Sequence, residues 1–168
     1  MEIRAELPAD RAACLALVTA AFQKAAGVEP IETGLIRELF ESPAYLPDLS
    51  IVAESAGEVV GHVITTRASV GEQPSLGLGP ISVAPGHQRE GIGSALMRAT
   101  IELATARGEA TIVLLGDPDY YERFGFVRAD ALGIEPPEDW GRFFMVLPLV
   151  DQPVPKGRFE YAEPFRKL

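Results

Sequence analysis

The sequence predicts one α/β domain, a sheet whose strands are linked by crossover helices. Three observations predict it. Short β-branched, apolar segments recur on both sides of helical stretches. The stretch from Ile92 to Ala106 places Ile92, Ala95, Leu96, Ala99, Leu103 and Ala106 at helical spacing before Gly108 stops it. The run from Ala110 to Leu115 is almost wholly apolar, as in a strand buried on both faces. With 168 residues and 47% hydrophobic content, the chain is long enough for one sizeable core and too short for two.

Taken in order, Glu2 to Leu7 reads as a first strand. Pro8-Ala9-Asp10 then marks the start of a helix over Ala12 to Phe22, ended by Gly27. A second helix from Ile31 to Phe40 puts Ile31, Leu35, Ile36 and Leu39 on one face and stops at Ser42-Pro43. Ser50 to Ser55 and Glu58 to Thr66 form a hairpin about Ala56-Gly57. The segment Arg67 to Ser75 is expected as a mobile loop before a fourth strand, Leu76 to Ala84. After the long helix and the strand Ala110 to Leu115, Pro118 and Gly125 bracket a short helix carrying Tyr120 and Tyr121. Phe126 to Arg128 and Arg142 to Val150 supply two more strands around a loop from Glu135 to Gly141. The expected domain is 1–150, followed by a tail, 151–168. In the tail, Arg158-Phe159-Glu160-Tyr161 alternates polar with aromatic residues, as an edge strand does, or a contact with a partner such as a second copy of the chain.

Composition excludes several function classes. No apolar run approaches the roughly 20 residues that span a bilayer. The opening Met1-Glu2-Ile3-Arg4-Ala5-Glu6 lacks the basic and then apolar character of a signal peptide, so the expected location is the cytoplasm. Cys14 is the only cysteine, which rules out an internal disulfide; its neighbours Leu15, Leu17 and Val18 make it a core residue. Lys and Arg number 15 against 24 Asp and Glu, a net charge of −9 with no basic cluster, so direct nucleic-acid binding is not expected.

The stretch from Leu78 to Leu96 carries the chemistry. It reads as a strand, a glycine-rich turn and a helix start. The turn Gln88-Arg89-Glu90-Gly91-Ile92-Gly93-Ser94 would direct several consecutive N–H groups outward at a helix N-terminus, where unpaired donors and the helix dipole favour an anion such as a pyrophosphate. A P-loop would need Lys where Ser94 stands, and a dinucleotide fingerprint would need a small residue where Leu96 stands. A turn that uses glycine for geometry alone is the competing reading. Gly79-Pro80 within the fourth strand is a second signal. Proline lacks the N–H that a central ladder uses, which suggests a bulge or a parting of strands.

The pattern Gln88-x-x-Gly91-x-Gly93 resembles the acyl-CoA pyrophosphate signature of the GNAT superfamily of N-acetyltransferases. The later run Tyr120-Tyr121-Glu122-Arg123-Phe124-Gly125-Phe126 is similar to that family's aromatic-Tyr-x-x-x-Gly-Phe segment. The likeness is clearest from about residue 76 to 128. It implies a mixed, mostly antiparallel twisted sheet of about seven strands with flanking helices, the fourth and fifth strands splayed. It also implies transfer of an acetyl group from acetyl-CoA to a primary amine by direct attack on the thioester, without a metal. The pyrophosphate would lie on Gln88, Arg89, Glu90, Gly91, Ile92, Gly93 and Ser94, and the pantetheine arm along Ile81, Ser82 and Val83.

Tyr121 aligns with the family's general acid, which protonates the departing thiolate. The fourth strand, however, offers no Asp or Glu as general base. Glu54, His62, Asp117, Asp119 and a water held by Ser82 all stay open for that role. Trp140, with Phe143 and Phe144, falls where a loop would border the acceptor, a small-molecule or peptide amine. A non-catalytic CoA-binding or regulatory module is the rival that the missing base suggests.

Overall fold

The computed structural model describes residues 1–149 and 153–168. Strands β1 (Glu2–Ala5), β2 (Tyr45–Ser55), β3 (Glu58–Val70), β4 (Gln73–Val83), β5 (Thr111–Leu115), β6 (Val127–Arg128), β7 (Ile134–Glu135), β8 (Phe144–Pro148) and β9 (Gly157–Glu160) build one sheet. Its main path runs β1-β2-β3-β4-β5-β8-β6, with β9 bridging β3 and β7. Along that path every pairing is antiparallel except β4 with β5. This is the mixed, mostly antiparallel sheet that the family resemblance implies, its main path of seven strands joined by β7 and β9. The predicted strand from Arg142 to Val150 begins later, at Phe144, after a helical turn over Gly141–Phe143, and Val150 lies outside the described residues.

Helices cover both faces. On one, α3 (Ile92–Ala106) buries Ile92, Leu96, Met97 and Ala104 against Ile51, Val63, Leu76 and Ile112. On the other, α1 (Arg11–Phe22) and α2 (Ile31–Phe40) bury Cys14, Val18, Ile36 and Leu39 against Val52 and Ile64. The β2–β3 turn places Ala56 and Gly57 at φ of 53° and 81°, the left-handed pair that suits a two-residue hairpin. At Gly61 a β-carbon would meet Ile92 at 2.7 Å, so the missing side chain lets the start of α3 lie close to β3.

The expected loop Arg67 to Ser75 is instead strand on both sides of a turn at Gly71 and Glu72, with Val70 opposite Gln73. Its polar residues obscured this. They are satisfied by distant partners: Arg67 pairs with Glu109 at 2.8 Å, and the Ser75 and Thr111 hydroxyls lie 2.7 Å apart. Period-two apolar patterning cannot reveal a strand whose polar side chains are paired across the sheet.

Candidate active site

The site begins where β4 leaves β5. Their parallel pairing consists of Leu76 with Ile112 and Gly77 with Val113 and goes no further, although β5 runs on to Leu115. Opposite, Gly79 and Pro80 form a bulge: Leu78 pairs with Thr65 and Ile81 with Val63, so two residues of β4 face one of β3. Beyond the last pair, β4 therefore has a free backbone edge facing the gap.

A cavity of about 440 Å³ opens at this gap. Gly79, Pro80, Ile81, Leu115 and Tyr121 line one side of it. Tyr121 stands on α4 (Pro118–Tyr121), where Pro118 occupies the first turn and the Asp117 carboxylate accepts from the Asp119 N–H at 3.0 Å. Its ring rests against Gly116, where a β-carbon would collide with it, and makes edge contacts with Tyr120 and Phe126. Burial, reinforced by Tyr120, pushes the Tyr121 phenol up to about 12. The hydroxyl therefore stays protonated across the neutral range.

A second cavity, of about 430 Å³, lies at the N-terminus of α3 and is lined by Val83, Gln88, Arg89, Gly91, Gly93 and Ser94, among others. Arg89 at φ 66° and Gly91 at φ 83° are both left-handed, which turns successive N–H groups toward one side. The first backbone bond of the helix runs from Ala95 N–H to Gly91 C=O at 3.0 Å, so the preceding N–H groups have no partner within the helix. Arg123, which sequence reasoning passed over, also lines this cavity. Its guanidinium lies 4.7 Å from the Tyr120 ring centroid, and its Nε donates to the Tyr120 carbonyl at 2.9 Å. Orphan donors, a helix dipole and two arginines fit a pyrophosphate.

Glu90 is the one residue of the predicted turn that does not line this cavity; its carboxylate lies 3.2 Å from His87. Ile81 faces the first cavity and Val83 the second. Ser82 points its buried hydroxyl elsewhere, in register with His62, and neither the hydroxyl nor His62 Nδ1 has a partner among the described residues.

The open candidates for a base stand apart from both cavities. Glu54 is paired with Arg4 at 2.8 Å. His62 is buried 3.2 Å from Glu6 and 3.1 Å from Ser50, in a network that also takes in Tyr45. Asp117 caps α4, and Asp119 is exposed. Glu6, Cys14 and His62 bring ligand-type atoms within 4.8 Å of one another, but burial pushes the Cys14 thiol up to about 12 and keeps it protonated. Trp140 packs on Phe144 and Tyr161, with ring centroids 5.3 and 5.9 Å away.

A family profile described as an acetyltransferase (GNAT) domain matches residues 47–128. The uncharacterised N-acetyltransferase YhbS of Escherichia coli is 30% identical over 131 residues, covering 77% of this chain and 75% of that protein. The chain belongs to the GNAT N-acetyltransferase family.

Another uncharacterised N-acetyltransferase of Escherichia coli, YjhQ, is 38% identical over 99 residues, although the match spans only about half of each protein (56% of this chain, 55% of YjhQ). The crystal structure of YhbS in complex with CoA superposes with a TM-score of 0.89 at 27% identity, covering 98% of this chain and 91% of that one. A GNAT family acetyltransferase from Brucella melitensis in complex with acetyl-CoA gives 0.80 at 32% identity, covering 98% and 97%. The parted β4 and β5 of this GNAT chain thus sit in a fold that these two solved neighbours share, one holding CoA and the other acetyl-CoA.

Proposed function

We propose that this GNAT protein transfers an acetyl group from acetyl-CoA to a primary amine. The observation that carries the reading is the pairing of two cavities along one strand: the anion cradle at the start of α3 and the Tyr121 cavity at the gap, joined by the free edge of β4. In this reading Gln88 to Ser94 and Arg123 hold the pyrophosphate, and Ile81 to Val83 pair with the pantetheine arm as an added strand would. Acetyl-CoA supplies the activated acetyl group.

The neutral amine forms its bond to the acetyl carbon as the carbon–sulfur bond breaks. Tyr121 gives its proton to the departing sulfur and is reprotonated by the proton that the amine nitrogen loses. A buried phenol is a poor free acid, so its proton moves only as negative charge develops on sulfur. In this reading direct attack on the thioester calls for no metal. The acetyltransferase unit expected over residues 1–150 takes part of its cavity wall from the tail.

The test is release of free CoA thiol from acetyl-CoA across a panel of primary amines. Amine-dependent release that falls sharply in Tyr121→Phe supports the reading. Tight acetyl-CoA binding with no release by any amine would favour a binding module instead.

A further inference from the structure

The Tyr121 cavity has a second wall. Helices α1 and α2 supply Phe22, Glu32 and Leu35, and the C-terminal segment supplies Tyr161, Phe165 and Leu168. Among the described residues that line the cavity, Glu32 is the only one besides the two tyrosines whose side chain ionises, and none is Lys or Arg. Glu32 is half-buried and forms no ion pair or side-chain hydrogen bond with any described residue. The one basic residue of its helix, Arg37, is held by Glu29 at 2.7 Å. A side-chain carboxylate without an ion-pair partner, facing a mostly apolar cavity, is a site for a cation.

That cation is not the attacking nitrogen. A nitrogen that attacks the thioester must be neutral, and it must lie at the β4–β5 gap beside Tyr121, whereas Glu32 belongs to the helical wall. We infer that the acceptor is a compact diamine with an apolar body: its neutral nitrogen lies at the gap, and its second, protonated nitrogen is held by Glu32. Phe22, Leu35 and Phe165 cover the apolar spacer. This inference rests on the acetyltransferase reading and assigns its acceptor class. An amine whose far end is anionic meets Glu32 as a like charge and is rejected.

Three acceptors with one ring body separate the cases: para-xylylenediamine, with a second cation; benzylamine, with none; and para-aminomethylbenzoate, with an anion. Titration with acetyl-CoA comes first; absence of binding overturns the acetyltransferase reading and this inference with it. Given binding, we expect kcat/KM to be at least about tenfold higher for the diamine than for benzylamine, the range of one charge-assisted contact, and lowest for the benzoate. In Glu32→Gln the ratio of diamine to benzylamine falls toward one while acetyl-CoA affinity holds. Glu102→Gln, an exposed change outside the cavity, keeps the wild-type ratio. Equal use of diamine and benzylamine, an unchanged ratio in Glu32→Gln, or acetyl-CoA binding with no turnover of the diamine overturns the inference and leaves the cofactor assignment standing.

Discussion

The ring of Tyr161 lies on Gly77, so close that a β-carbon there would meet Cδ1 at 2.6 Å and Cε1 at 2.7 Å. Gly77 is the last residue of β4 that pairs with β5, so the tail is pinned across the sheet where the strands part. Stacking of Tyr161 on Phe165, with centroids 4.3 Å apart, carries that anchor into the cavity wall. Gly77→Ala forces the ring away, and overpacking of this kind costs about 1–3 kcal/mol. Urea unfolding measures that cost, and we expect KM for the amine to rise with it while acetyl-CoA affinity changes little.

Gly91 stands at φ 83° with no heavy atom within 4 Å of a β-carbon built on it. A side chain there has room in the folded protein, and the left-handed backbone costs about 1–2 kcal/mol. Gly91→Trp should therefore remain folded while its indole fills the cradle, and calorimetry should find acetyl-CoA binding abolished. A folded Gly91→Trp with wild-type affinity would remove the pyrophosphate from this turn.

Tyr121→Phe keeps the ring against Gly116 and removes the proton. General-acid assistance contributes about 10²–10⁴ in rate, so kcat should fall by about that factor with little change in acetyl-CoA affinity. Because burial raises the phenol to about 12, the wild-type enzyme should keep its proton donor through pH 10. Stability linked to this tyrosine is fully present below the phenol's ordinary value and is lost as pH rises through the raised one. Titration of tyrosine absorbance in wild type and Tyr121→Phe reads the difference directly.

Glu6 is a buried carboxylate in the core. Burial pushes its pKa up, but hydrogen bonds from His62 and Ser50, the charge of His62 and the Tyr45 hydroxyl outweigh that and hold it below the usual carboxylate range. Its stabilisation is present above the ordinary carboxylate pKa and is lost as pH falls through the lowered one. Removing one partner from a buried, charge-assisted network costs about 3–5 kcal/mol. Glu6→Ala should lose about that much at pH 7 by urea unfolding, and the gap from wild type should narrow as the pH is taken into the acid range.

Much of the fold was legible because local chemistry agrees with it. Ala56-Gly57 marks its hairpin, Pro118 opens α4, and Gly91 and Gly93 sit where α3 begins. Gly79-Pro80 announced the parted strands through proline's missing N–H. The helical wall of the Tyr121 cavity was hidden. Glu32 is an ordinary polar residue in the first turn of an amphipathic helix, and nothing local says that Phe165 and Leu168 will close the same cavity. Arg123 reaches the cradle only because Tyr120 packs against the start of α3, its hydroxyl 3.1 Å from where a β-carbon of Gly93 would stand. Such relations arise between elements far apart in the chain, which periodicity and turn chemistry do not record.

The most direct test is thermal unfolding with and without acetyl-CoA and CoA, since a ligand that binds only the folded state raises the midpoint. At a ligand concentration about 100 times Kd, the added stability is about 2.7 kcal/mol, a shift of several degrees for a domain of this size. We expect that shift with both ligands and its loss in Gly91→Trp. An unchanged midpoint at millimolar acetyl-CoA would contradict the cofactor assignment and, with it, acetyl transfer at the Tyr121 cavity.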